Sequence, residues 1–130
     1  MPASASELDL AALQGTWKQV AFEEDGNADV PDAYGDPSGS LTTFRGNHFS
    51  VRDSTGRLLL EGTFALDASC TPKTIDWTDS IGIDAGKTLA AIYELEGDHF
   101  LFIAADAGAP RPVTFQTLPG QTMRSFMRQT

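Results

Sequence analysis

The chain has 130 residues, 41% hydrophobic and 9% aromatic, which suits one globular domain (1–130) with a real core and argues against disorder. Nine Lys and Arg against 18 Asp and Glu leave a net charge of −9, with no basic stripe to neutralise phosphates, so nucleic acid is excluded as a partner. The longest apolar runs, "LLL" and "LFIAA", are too short to span a bilayer, and "MPASASELDL" has neither the basic nor the apolar region of a secretory signal. A lone Cys70 precludes an internal disulfide, so the expected location is cytoplasmic.

Residues 1–5 read as a disordered lead into a short helix over "SASELDLAAL". Ser4 or Ser6 caps it, with Glu7 or Asp9 three residues on, and Gly15 stops it. No helical period follows residue 14, which rules out βαβ units. The chain instead breaks into short alternating runs separated by Gly, Pro, Asp and Asn. Strands are expected at 15–24, 40–45, 47–53, 57–66, 73–79, 87–96, 98–105, 111–117 and 121–129. The joins "RGN", "STG" and "EGD" are hairpin turns, so neighbouring strands pair antiparallel.

Face alternation supports this. Leu58, Leu60, Phe64 and Leu66 share one parity against Arg57, Glu61 and Thr63, and Leu89, Ala91, Tyr93 and Leu95 share another against Thr88 and Glu94. One packed and one wet face mark an antiparallel meander, and a sheet this wide must close to hide its edges. The reading is an all-β, up-and-down barrel of about eight strands with a short N-terminal helix.

Several stretches narrow it further: "LQGTWKQVAFEEDG", "LEGTFALD", "PKTIDW", "GKTLAAIYELEGDHF" and "RPVTF", spread from Leu13 to Phe115. A short helix feeding Gly-Thr-Trp-Lys at the head of a meander resembles the calycin superfamily, and more closely a bacterial lipocalin-like domain family. The resemblance implies the barrel, and the family brings no agreed catalytic residues. The fatty-acid-binding branch inserts two helices after its first strand, and "DGNADVPDAYGDPSGS" is too rich in Pro, Gly and Asp for that. That branch also grips a carboxylate with Arg-x-Tyr on its last strand, where this chain has Arg124-Ser125-Phe126.

Trp17 is expected to plug the closed end of the barrel, with Arg124 or Arg128 over its face as the resemblance suggests. Phe64, Trp77, Tyr93, Phe100, Phe102 and Phe115 either fill the interior or line a pocket. The candidate ligand-binding residues are Phe64, Trp77, Tyr93, Phe102, Arg111 and Arg124. The two arginines could hold an anion, or could pair structurally with a strand carboxylate such as Asp76 or Glu94.

Other motifs fail on spacing. Asp25, Asn27, Asp29 and Asp36 mimic a calcium loop, but Val30 stands where the turn glycine belongs, and the stretch reads as a solvated acidic loop. Gly86-Lys87-Thr88 is not a phosphate loop, since Ile81 replaces its first glycine. No Gly-x-Ser-x-Gly elbow is present, and neither Cys70, His48 nor His99 belongs to a catalytic or zinc-ligand pattern. No catalytic residue, metal or cofactor is expected.

Three functions are compatible with this reading. The first is a non-catalytic barrel holding a small, mostly apolar molecule. The alternative is a protein-interaction module with a filled core that uses the 25–39 loop, with its Tyr34, or an outer face. The last is an enzyme using Glu94 or Asp76 with Tyr93.

Overall fold

The computed structural model describes residues 4–24, 27–28, 40–53, 55–82 and 85–129, and the 25–39 acidic loop falls outside them except for a two-residue strand. One helix, α1 (Ala5–Leu13), precedes β1 (Gly15–Glu24), β2 (Asn27–Ala28), β3 (Leu41–Arg45), β4 (His48–Arg52) and β5 (Leu58–Asp67). Then come β6 (Lys73–Asp79), β7 (Thr88–Glu96), β8 (His99–Ala105) and β9 (Gln121–Arg128). Every neighbouring pair is antiparallel, in the order β2-β1-β3-β4-β5-β6-β7-β8-β9. Strand β1 also pairs with β9, Trp17 opposite Arg128 and Lys18 opposite Met127, which closes eight strands into a ring. β2 is a stub on the end of β1. This all-β barrel with a short N-terminal helix is consistent with a lipocalin-like fold.

Two glycines carry the geometry. Gly15 enters β1 at φ +114°, and an added Cβ there would crowd the Arg128 guanidinium at 3.3 Å. At Gly62 the constraint is space: a Cβ would lie 2.1 Å from the Thr78 carbonyl oxygen and 3.0 Å from both Asp79 Cα and the Phe49 ring. β5 and β6 approach too closely there for any side chain.

Helix α1 covers one end of the barrel. Ser4 caps it by accepting from the Glu7 N–H at 3.1 Å, while Ser6 Oγ accepts from the Ala68 N–H at 2.9 Å. Asp9 accepts from the Tyr93 hydroxyl at 2.8 Å and pairs with Lys73 Nζ at 3.0 Å. Gln14 locks onto the β3–β4 turn in both directions, donating to the Gly46 carbonyl and accepting from its N–H. Leu13 and Trp17 are fully buried beneath the helix, and Trp17 Nε1 donates to the Leu13 carbonyl at 2.8 Å.

The expected strand at 111–117 is absent, and this is a correction. β8 pairs directly with β9, His99 opposite Met127 through Ala105 opposite Gln121, so the ring has no gap for another strand. Residues 106–120 instead form a strap over the outer wall. Arg111 Nη1 donates to the Ala91 carbonyl at 2.8 Å, and Thr117 Oγ1 donates to Glu23 at 2.6 Å. Ile92 and Ile103 face outward, opposite each other across β7–β8, yet are 1% and 0% exposed, and Pro112 of the strap is fully buried with them. A proline has no N–H for a ladder but packs well on a sheet face. Phe115, expected inside the barrel, lies on this strap partly exposed.

Candidate functional site

The inward residues of the barrel sort into two layers. The lower, nearest α1, is solid: Leu13, Trp17, Phe64, Ile75, Tyr93 and Phe100 are buried, each under 5% exposed, in one cluster. Phe100 is its hub, with ring centroids 6.1 Å from Trp17, 6.1 Å from Tyr93 and 5.7 Å from Phe126. Such ring pairs each contribute about 0.5–1.5 kcal/mol beyond the area they bury.

The upper layer is hollow. A cavity of about 680 Å³ occupies the barrel from its middle to the loops at the end away from α1. Its floor is aromatic: Phe44, Trp77, Phe102 and Phe126 are all under 10% exposed, Trp77 and Phe102 centroids are 4.8 Å apart, and Phe102 and Phe126 stack at 5.9 Å. Phe49, Val51, Leu60, Leu89 and Ala104 continue the apolar wall over β4, β5, β7 and β8. The wall formed by β9, β1 and β3 is polar, with Thr122, Arg124, Gln19 and Thr42. Arg124 Nη1 donates to Gln19 Oε1 at 3.0 Å, which seats a cation and an amide on the inner surface. Asp79, buried at the end of β6, joins the lining, with Lys87 and Asp106 from the connecting loops. Polar groups among apolar ones give a pocket its means of orienting a ligand.

The sequence candidates therefore divide. Trp77, Phe102 and Arg124 meet in the cavity. Phe64 lies below its floor, in contact with Trp77 at 5.7 Å. Tyr93 sits lower still, bound to Asp9 under the helix, where burial first and the Asp9 hydrogen bond second push its phenol well above the ordinary range. Arg111 is on the outside, in an ion pair with Asp76 at 2.6 Å. Glu94 is exposed on the outer face, so neither carboxylate considered for catalysis borders the cavity. Trp17 is at the helix end with the Arg128 guanidinium 4.3 Å from its ring centroid, so of the two candidate cations it is Arg128 that covers it.

Sequence reasoning named Arg124 but missed its polar neighbours Gln19, Thr42 and Thr122. The signal was there in Gln19, two residues from Trp17, and Thr42, two from Phe44, each polar at an inward position. Ser125 turns outward, where its Oγ is 2.8 Å from His99 Nε2.

A second hollow of about 490 Å³ lies outside, over β3–β5, between Thr43, Arg45, His48, Ser50, Arg52 and Glu61. Its charges are of both signs and exposed, so water screens them. Among the described residues no three His, Cys, Asp or Glu side chains gather as a metal site, and no helix is long and apolar enough to cross a membrane. No protein-family model and no curated protein matches the chain.

Proposed function

We propose that the chain is a non-catalytic, lipocalin-like binding protein that holds one small, mostly apolar molecule in the open half of its barrel. One observation carries the reading: a volume of about 680 Å³, within the range of small-molecule pockets, set above a fully packed aromatic floor. The lower half demonstrates that this sequence can fill a barrel with rings. Phe126, Phe102 and Phe44 nonetheless stop short, and toward the mouth Arg124 and Thr122 follow on β9, Ala104 on β8 and Thr42 on β3.

The test is direct. Titration with 1-anilinonaphthalene-8-sulfonate and with cis-parinarate should each give a saturable fluorescence rise at one site per chain, and native mass spectrometry should show a one-to-one adduct. Neither probe binding, with only the bare chain in the spectrum, overturns the proposal.

A further inference from the structure

The shape of the cavity and the distribution of its polar groups narrow the occupant to a class. Along β9 the lining runs from Thr122 to Phe126, and along β8 from Phe102 to Asp106. Four residue steps at about 3.3 Å make a wall of roughly 13 Å. Strands in small barrels tilt by about 35–45°, which brings the depth along the barrel axis to roughly 10 Å. A volume of about 680 Å³ over that depth gives a width of roughly 8 Å. The hollow is nearly as wide as it is deep.

It cannot extend downward. Phe44 spans the two layers, lining the cavity while its ring sits 5.3 Å from Phe64 and 5.9 Å from Phe100. An extended sixteen-carbon chain, about twice as long as the hollow is deep, would either leave half its length in solvent, which forfeits buried apolar area, or fold tightly inside, which costs conformational entropy. A rigid fused-ring molecule fits the width and meets Trp77 and Phe102 face or edge on, where ring contacts add to area burial. Below the mouth, where Asp79, Lys87 and Asp106 join the lining, the polar side chains with oxygen or guanidinium groups lie on one side. Thr122 and Arg124 on β9, Gln19 on β1 and Thr42 on β3 are contiguous around the ring, opposite the apolar β5–β7 wall.

We infer that the occupant is a compact, planar, polycyclic molecule carrying oxygen substituents along one edge, and not a long-chain acyl lipid. This rests on the binding reading above and adds shape and polarity to it.

The experiment compares 7-hydroxyflavone with palmitate by isothermal titration calorimetry on the whole chain, with the Thr42→Val variant alongside. The hydroxyflavone should bind about tenfold or more tighter than palmitate. T42V should weaken the hydroxyflavone about fivefold, the worth of one hydrogen bond, and leave palmitate unchanged. Urea unfolding of T42V, coincident with the parent chain, confirms that the variant is folded. If it is not, Thr42→Ser with its retained hydroxyl should bind like the parent. Palmitate binding as tightly as the flavone overturns the shape inference while leaving the cavity a binding site. An unchanged flavone affinity in T42V overturns the polar-edge inference. Binding of neither molecule, with no fluorescent probe bound, overturns both this inference and the function it rests on.

Discussion

Arg128 completes a helix from 114 residues away. The last turn of α1 holds no basic residue, and its terminal carbonyls need donors. Arg128 Nη1 donates to the Gln14 carbonyl at 2.9 Å and Nη2 to that of Ala12, while the guanidinium covers Trp17 and its Nε reaches Asp98 at 3.2 Å. One planar cation therefore ends the helix, caps the plug and joins the first strand to the last. Arg128→Ala is expected to cost about 2–3 kcal/mol in urea unfolding, from the carbonyls left unpaired and the lost ring contact. Arg128→Lys should recover less than half, because one ammonium cannot fork to two carbonyls and stack as well.

Tyr93 makes a second residue-scale prediction, in pH. Its phenol is held above the ordinary range by burial and by Asp9, whereas an unfolded tyrosine ionises near pH 10. Below that value both states keep the proton, and the stabilisation is fully present. Above it the unfolded chain loses the proton and the native one does not, so stability falls as pH rises, by about 1.4 kcal/mol per unit. The stability read by urea unfolding should fall by about 1.4 kcal/mol in total between pH 9 and 11, most of it above pH 10, and Tyr93→Phe should remove that loss. A slope equal in both proteins would assign the loss to other groups.

At the scale of elements, the strap over residues 106–120 is the part least legible in the sequence. "RPVTF" has the β-branched and aromatic content of a strand, and local propensity cannot reveal that β8 and β9 already pair. The clue lay elsewhere, in "LAAIYEL" and "HFLFIAA", which are apolar at both parities as only doubly covered strands are. The strap supplies the second cover. Ile103→Ala, at a position that alternation alone would place in water, is expected to cost about 2–5 kcal/mol. Val113→Ala on the strap itself, 74% exposed, should stay within about 0.5 kcal/mol. Equal small losses at both would show that the strap does not seal the outer wall. By contrast, α1 and the eight strands of the ring were readable because caps, turns and a period of two are local signals, whereas the two-residue β2 is too short to carry one.

For the whole molecule, alternation tells which residues point inward but not how far along the barrel axis they lie. Phe64 and Phe102 are indistinguishable by parity, yet one sits below the floor and the other lines the hollow. That height depends on strand stagger, which only the closed ring fixes. Arg111 and Arg124 pose the same difficulty: one lies on a strap mistaken for a strand, the other on the inner wall. The hollow itself should be removable. Ala104→Phe, from a buried position on the cavity wall, is expected to lower affinity for any interior probe more than tenfold while changing stability by about 1 kcal/mol or less, since the new ring enters open space. Retained probe binding in A104F, by the same fluorescence titration, would place the binding site elsewhere.

The seam between β1 and β9 has a consequence in time. Each other barrel strand finds a partner within a few dozen residues, so a growing chain can zip β3 through β8 as they emerge. β1 pairs early with β2 and β3, and its second edge waits until β9 has been synthesised. Until then Trp17 lacks its covering cation and the helix end lacks its donor, while two sheet edges stay open to stray pairing. The nascent barrel is most prone to aggregation just before β9 arrives, and the strand that locks the ring is also the one that brings Arg124 to the cavity wall. A cavity of this construction cannot precede closure; it appears with it.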